Sequence, residues 1–192
     1  MTRALRRLIA GDPGAPFVAI DFETADCRPD SACAVALVRV DKQRIVDRRS
    51  ALIRPPRRYF VFSYIHGITW NDVADAPTFA EFWPEVSDIL AGVHFLAAHN
   101  SPFDRRVLAA CCQRAGLAMP PQPFFCTVSL ARSVWRLRPA NLPAVCAHLQ
   151  IPLRHHDAGS DAEACARIVI EATRHWEADR ALGHDGFRTA TR

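Results

Sequence analysis

The chain almost lacks lysine. Lys42 is the only one, and arginine supplies the rest of its 24 basic residues, set against 20 acidic ones for a net charge of +4. That balance demands no single class of partner, but the arginine fork suits phosphate recognition and is compatible with nucleic acid. The seven cysteines form no C-x-x-C pair and show no zinc-ligand spacing. Cys111 and Cys112 adjoin on a helical stretch, while Cys146 and Cys165 lie within apolar helical faces, so they read as small buried hydrophobes in a reducing compartment. No run approaches the roughly 18 apolar residues of a membrane span. In the opening MTRALRRLIAGDPG only Leu8 to Ala10 is apolar, which is too short for a secretory leader. Internal repeats and low-complexity segments are also missing. These absences point to a cytoplasmic protein without membrane association.

What is there suits one domain with a full-sized core: 192 residues, 49% hydrophobic and 23% charged. Gly11, Pro13, Gly14 and Pro16 break residues 1–16 into a flexible lead-in, 17–179 form the domain, and 180–192 a short polar tail. Phe17 to Phe22, Ala32 to Val40 and Arg44 to Ile53 read as strands, with Asp41-Lys42-Gln43 as a hairpin turn. Thr78 to Glu81 has the capping-box form and opens a helix with Phe79, Phe82, Val86, Ile89 and Leu90 on one face, which Pro84 should kink or split. Val93 to Ala98 is a buried strand. Ser101 should cap a helix to about Ala115, with Pro102 first inside it. Phe124 to Thr127 is a short strand leading into a helix through Trp135. Two more helices follow, over Asn141 to Leu149 and from Asp161, capped by Ser160, to about Ala178. The order βββ-α-β-α-β-α-α-α indicates an α/β domain, a mixed sheet flanked by helices.

Acidic residues stand at the ends of these elements. Asp21 and Glu23 are two apart on the first strand, so they share a face and repel, with Phe22 on the other. Asp104 falls in the first turn after Ser101, where returning a hydrogen bond to the cap is as good an explanation as metal binding. Asp161 would open the last helix, where negative charge is favoured anyway. His155, His156 and Asp157 precede it in a loop. Each has a structural explanation alone; together, four carboxylates at the ends of buried elements are costly unless a positive charge neutralises them. Magnesium or manganese does so, and a pair of such ions is a standard device for cutting phosphodiesters.

The sequence D-x-E at the end of a first strand, H-N-x-x-F-D at a strand-to-helix junction and H-x-x-x-x-D at a final helix resembles the DEDDh 3′→5′ exonucleases. These ribonuclease H-like enzymes include the proofreading subunit of bacterial DNA polymerase III. The resemblance covers roughly residues 17–175, and Ile65-His66-Gly67-Ile68-Thr69 resembles the family's segment beside the terminal nucleotide. It implies a mixed five-stranded sheet and two divalent ions, Mg²⁺ or Mn²⁺, held by Asp21, Glu23, Asp104 and Asp161. It further implies His156 as general base and Phe22, Thr24, Ile65, His66, Asn100 and Phe103 as contacts to substrate. The substrate so implied is a nucleic-acid 3′ end, DNA in preference to RNA, with a polymerase or repair partner as a separate chain. Because neighbours in an extended loop point apart, only His156 of the two histidines is expected to face the metals.

Overall fold

The computed structural model describes residues 12–182, so most of the expected lead-in and tail lies outside the described residues. Five strands form one sheet in the order β3-β2-β1-β4-β5. β1 (Phe17–Thr24), β2 (Ala32–Asp41) and β3 (Arg44–Leu52) are successive and antiparallel, as short connections permit. Lys42 and Gln43 both take positive φ at the β2–β3 turn, the conformation that matches the twist of a tight hairpin. β4 (Phe95–Ala98) and β5 (Phe124–Cys126) run parallel to β1, and the long connections they require carry the helices. The mixed five-stranded sheet with flanking helices is the one expected.

β1 is central, and Val18, Ala19 and Ile20 are wholly buried. Alternation along it feeds two cores. Phe17 and Ala19 face α5 (Thr127–Val134), α6 (Leu142–Leu149) and the 24-residue α7 (Ala158–Ala181). Val18, Ile20 and Phe22 face α3 (Phe79–Val86) and α4 (Ser101–Ala115). Phe17 stacks on Phe95 at 4.8 Å, and Phe95 meets Phe125 edge-on at 5.1 Å, tying three strands on the first face. Five of the seven cysteines are buried and all are free. No described helix is long and apolar enough to cross a membrane.

The Thr78 capping box forms with both bonds, and α3 stops at Val86, two residues after Pro84, continuing as a 3₁₀ turn over Ser87–Leu90. All five residues of its expected apolar face are buried. Two other helix starts differ from expectation. The cap of α4 is Asn100, in the left-handed region at φ 70°, with Ser101 and Pro102 already inside the helix. α7 begins at Ala158, capped by Asp157, whose Oδ1 accepts the Ser160 amide at 2.8 Å; Ser160 instead accepts the Arg154 amide through Oγ. Where two capping residues compete, the aspartate one turn earlier wins because it frees the serine to close the preceding loop. Two one-turn helices, α1 (Ser63–His66) and α2 (Trp70–Val73), were not anticipated, although Thr69 and Asp72 form a capping box that the sequence spells out.

Candidate active site

β1 runs two residues further than its apolar pattern, because β2 stays paired with it as far as Thr24. β4, on the other side, is paired with β1 only as far as Ala19. The Phe22 amide therefore has no strand partner there, and Asp104 Oδ1 accepts it at 3.2 Å across α4. That bond removes the capping explanation for Asp104, which sits in the helix's fourth position and is 1% exposed.

Asp21 and Glu23 point to the α7 side, and the early start of α7 brings Asp161 down onto them as its fourth residue. The three carboxylates each offer an oxygen within 4.8 Å of the others. Asp104 lies outside this group but close enough for its charge to act on Asp21. Burial, followed by the charges of Asp104, Asp161 and Glu23, holds the Asp21 carboxyl well above the usual range. Burial and then Asp161 push Glu23 up to about 8. Burial also raises Asp104 and Asp161. Such a set holds protons or takes up cations.

Asp161 shows the point most sharply. Its Oδ2 accepts His155 Nδ1 at 3.0 Å and the His156 amide at 3.1 Å, while its buried Oδ1 has no partner. A buried carboxylate oxygen left unpaired beside two further carboxylates is the donor set of a hard divalent cation. The two histidines do not diverge as expected. His156 takes a left-handed backbone at φ 68°, which turns its ring to stack on His155 at 3.8 Å. Both imidazoles border the cleft.

That cleft, about 650 Å³, is bordered by every residue the sequence singled out except Asp104. Phe22 is 3% exposed and belongs mainly to the α3–α4 core. Ile65 is 38% exposed at the mouth. His66 has both nitrogens committed: Nδ1 accepts the Ile68 amide at 3.0 Å and Nε2 donates to the Thr24 carbonyl at 3.2 Å. It fastens α1 to the end of β1, and burial keeps it neutral. His99 opens the H-N-x-x-F-D motif but was assigned no role of its own from the sequence. Its Nδ1 meets Thr127 Oγ1 at 2.8 Å and its Nε2 donates to the Ala140 carbonyl at 3.1 Å, and burial pushes it down to about 4. It joins β4, α5 and the α5–α6 loop at the cleft wall. Its place at the head of that motif, ending an apolar strand, was the available sign.

A family model described as Exonuclease (RNase_T) matches residues 18–169. The chain belongs to this exonuclease family. The chain is 32% identical over 160 residues to the PolC-type DNA polymerase III of Thermotoga maritima, a match covering 81% of the chain and 12% of that protein. It therefore spans about an eighth of that relative's length. It is 31% identical over 170 residues to exodeoxyribonuclease 10 of Escherichia coli strain K12, covering 84% of the chain and 71% of the relative. The nuclease domain of 3′hExo, a DEDDh family member bound to rAMP, superposes with a TM-score of 0.72 at 20% identity, over 85% of this chain and 94% of that one. The fold is thus the ribonuclease H-like one of the DEDDh enzymes. The divalent-metal dependence of the exonuclease family agrees with the clustered carboxylates.

Proposed function

We propose that this exonuclease digests DNA from a free 3′ hydroxyl, releasing mononucleotides. Two divalent ions, Mg²⁺ or Mn²⁺, would be held by Asp21, Glu23, Asp104 and Asp161. The observation that carries this is the convergence of Asp21, Glu23 and Asp161 with the unpaired, buried Asp161 Oδ1. Bound divalent ions supply charge stabilisation at the scissile phosphate and a more acidic water. His156 is the base that removes the proton from the attacking water. Its ring makes no hydrogen bond among the described residues, whereas His155 commits Nδ1 to Asp161. Burial and the His155 charge lower its pKa, so it is neutral and able to accept a proton at neutral pH. Phe22, Thr24, Ile65 and Phe103 border the cleft where the terminal nucleotide would lie, and His66 and Asn100 set the backbone around it.

DNA is favoured over RNA by the name of the bacterial relative that the chain covers over most of its length, an exodeoxyribonuclease. The PolC-type relative supports a polymerase or repair assembly as the setting. The test is digestion of matched 3′-labelled DNA and RNA oligonucleotides with Mg²⁺, Mn²⁺ or EDTA. Faster loss of the DNA label, dependent on metal, is the expected result. Faster RNA digestion would reverse the substrate assignment, and cleavage of circular or 3′-blocked DNA would sink the exonuclease mode.

A further inference from the structure

The catalytic cleft opens into a second, larger concavity of about 920 Å³, with His66 and His156 bordering both. Its floor is the α7-facing side of the β2–β3 hairpin, where the register sets Ala36 opposite Ser50 and Val38 opposite Arg48. Small residues keep that floor low, and α7 forms the wall through Glu163 and Arg167, one turn apart. Past Arg48, Pro152 and Arg167 the groove continues into a hollow of about 400 Å³ bordered by Arg44, Glu171 and Arg174. From Ser160 to Arg174 the wall is about 21 Å long at 1.5 Å per helical residue.

Five arginines border the two hollows on this face (44, 48, 154, 167 and 174 in sequence) against three carboxylates, Asp157, Glu163 and Glu171; Arg49 turns to the sheet's other face, where it pairs with Asp47 and Asp88. Glu163 accepts Arg48 Nε at 2.7 Å from the floor and an Arg167 terminal nitrogen at 2.6 Å on its own helix. It holds two guanidiniums in place, each with further N–H donors to spare. Arginines fixed in this way meet phosphate oxygens with little ordering left to do.

We propose that this groove binds the sugar–phosphate backbone of the strand being digested, several nucleotides on the 5′ side of the scissile bond. The inference rests on the exonuclease reading of the cleft. The shared histidines select that strand, because a chain whose 3′ end lies in the cleft passes them to reach the arginines. Phosphate contacts carry no choice of sugar, so the track serves DNA and RNA alike.

The test is fluorescence anisotropy of 5′-fluorescein single-stranded DNA, a short oligonucleotide of about 4 nucleotides and a long one of about 14, with EDTA present, across a salt series. The wild type should bind the long oligonucleotide about tenfold or more tighter than the short one. Arg48→Glu with Arg167→Glu should erase most of that advantage and make the salt slope shallower by about 1.4, at about 0.7 per lost single-strand contact. Because those arginines also hold Glu163, Ser50→Glu is the second variant: it places a negative charge on the exposed floor while keeping Arg48, Glu163 and Arg167, and should likewise weaken only the long oligonucleotide. Wild-type length dependence and salt slope in both variants would overturn the proposal. So would a loss confined to duplexes with a two-nucleotide 3′ overhang, which would put the complementary strand in the groove. Failure of the exonuclease reading looks different: the wild type would not shorten 3′-labelled DNA with Mg²⁺ at all.

Discussion

At the scale of single residues, the site is a set of charges held against their preference. Glu23 titrates near 8 in the fold against 4.5 ordinarily, and Asp21, Asp104 and Asp161 are raised as well. A carboxylate with a raised folded pKa stabilises the fold below its unfolded value and loses that contribution as pH rises through the folded one. The histidines act oppositely: His66, His99 and His156 are all lowered, chiefly by desolvation, so their contribution grows with pH until the unfolded-state imidazoles, at about 6.5, have finished titrating about one unit higher. Between about pH 7.5 and 8.5 the metal-free protein should therefore melt at progressively lower temperature, and Glu23→Gln should flatten the decline. A melting temperature that rises over this range would contradict the charge assignment. Alanine at Asp21, Glu23, Asp104 or Asp161 should remove most nuclease activity; at Asp21 and Glu23 the metal-free melt should be unchanged or slightly raised, since a repelling charge is lost, whereas Asp104→Ala and Asp161→Ala also strand the Phe22 and His156 amides and should melt lower. A variant that cuts normally loses its place in the ligand set. For the histidines, His156→Ala should lower the rate about 10²–10⁴-fold at neutral pH. His155→Ala should cost less, through loss of its bond to Asp161. The reverse ranking, in initial rates on one oligonucleotide, would transfer the base to His155.

At the scale of elements, the site is assembled from the ends of four segments by contacts that are not catalytic. Asp104 anchors α4 to the unpaired Phe22 amide, Asp157 starts α7 early enough to bring Asp161 onto β1, and His66 ties α1 to Thr24. His99 fastens the opposite wall through Thr127 and Ala140. His99→Phe keeps the volume but leaves the Ala140 carbonyl without its donor, at a cost of about 1–3 kcal/mol if that carbonyl stays buried. The expected outcome is a lower melting temperature with a larger fall in kcat than in metal affinity, because the ligands are on other elements. A variant with wild-type melting would show that the wall is held by packing alone.

At the scale of the whole molecule, the sheet gives one edge of the catalytic cleft and the floor of the arginine groove, so binding and stability are linked. Adding Mg²⁺ or Mn²⁺ should raise the melting temperature most above pH 7, where the carboxylates would otherwise be forced to ionise together, and should cancel the decline seen in EDTA. Equal stabilisation at pH 6 and 8.5 would mean that the ions bind elsewhere.

Much of this was legible along the chain. Local rules suffice for the β2–β3 hairpin, the Thr78 cap, the apolar face from Phe79 to Leu90 and the same-side placement of Asp21 and Glu23, because alternation, helical period and capping act within a few residues. The ordered acidic motifs pointed to the family for the same reason: each motif is local, and only their succession is long-range. Tertiary structure decided what depends on competition or on space. It chose Asp157 over Ser160 as cap, gave Asp104 a partner 82 residues away, and left Asp161 Oδ1 bare. It turned His156 onto His155 through a left-handed backbone that no neighbouring residue type demanded. It also gathered arginines from β3, the loop before α7 and α7 itself into one groove, since charges far apart in sequence acquire a common field only when the elements that carry them pack side by side.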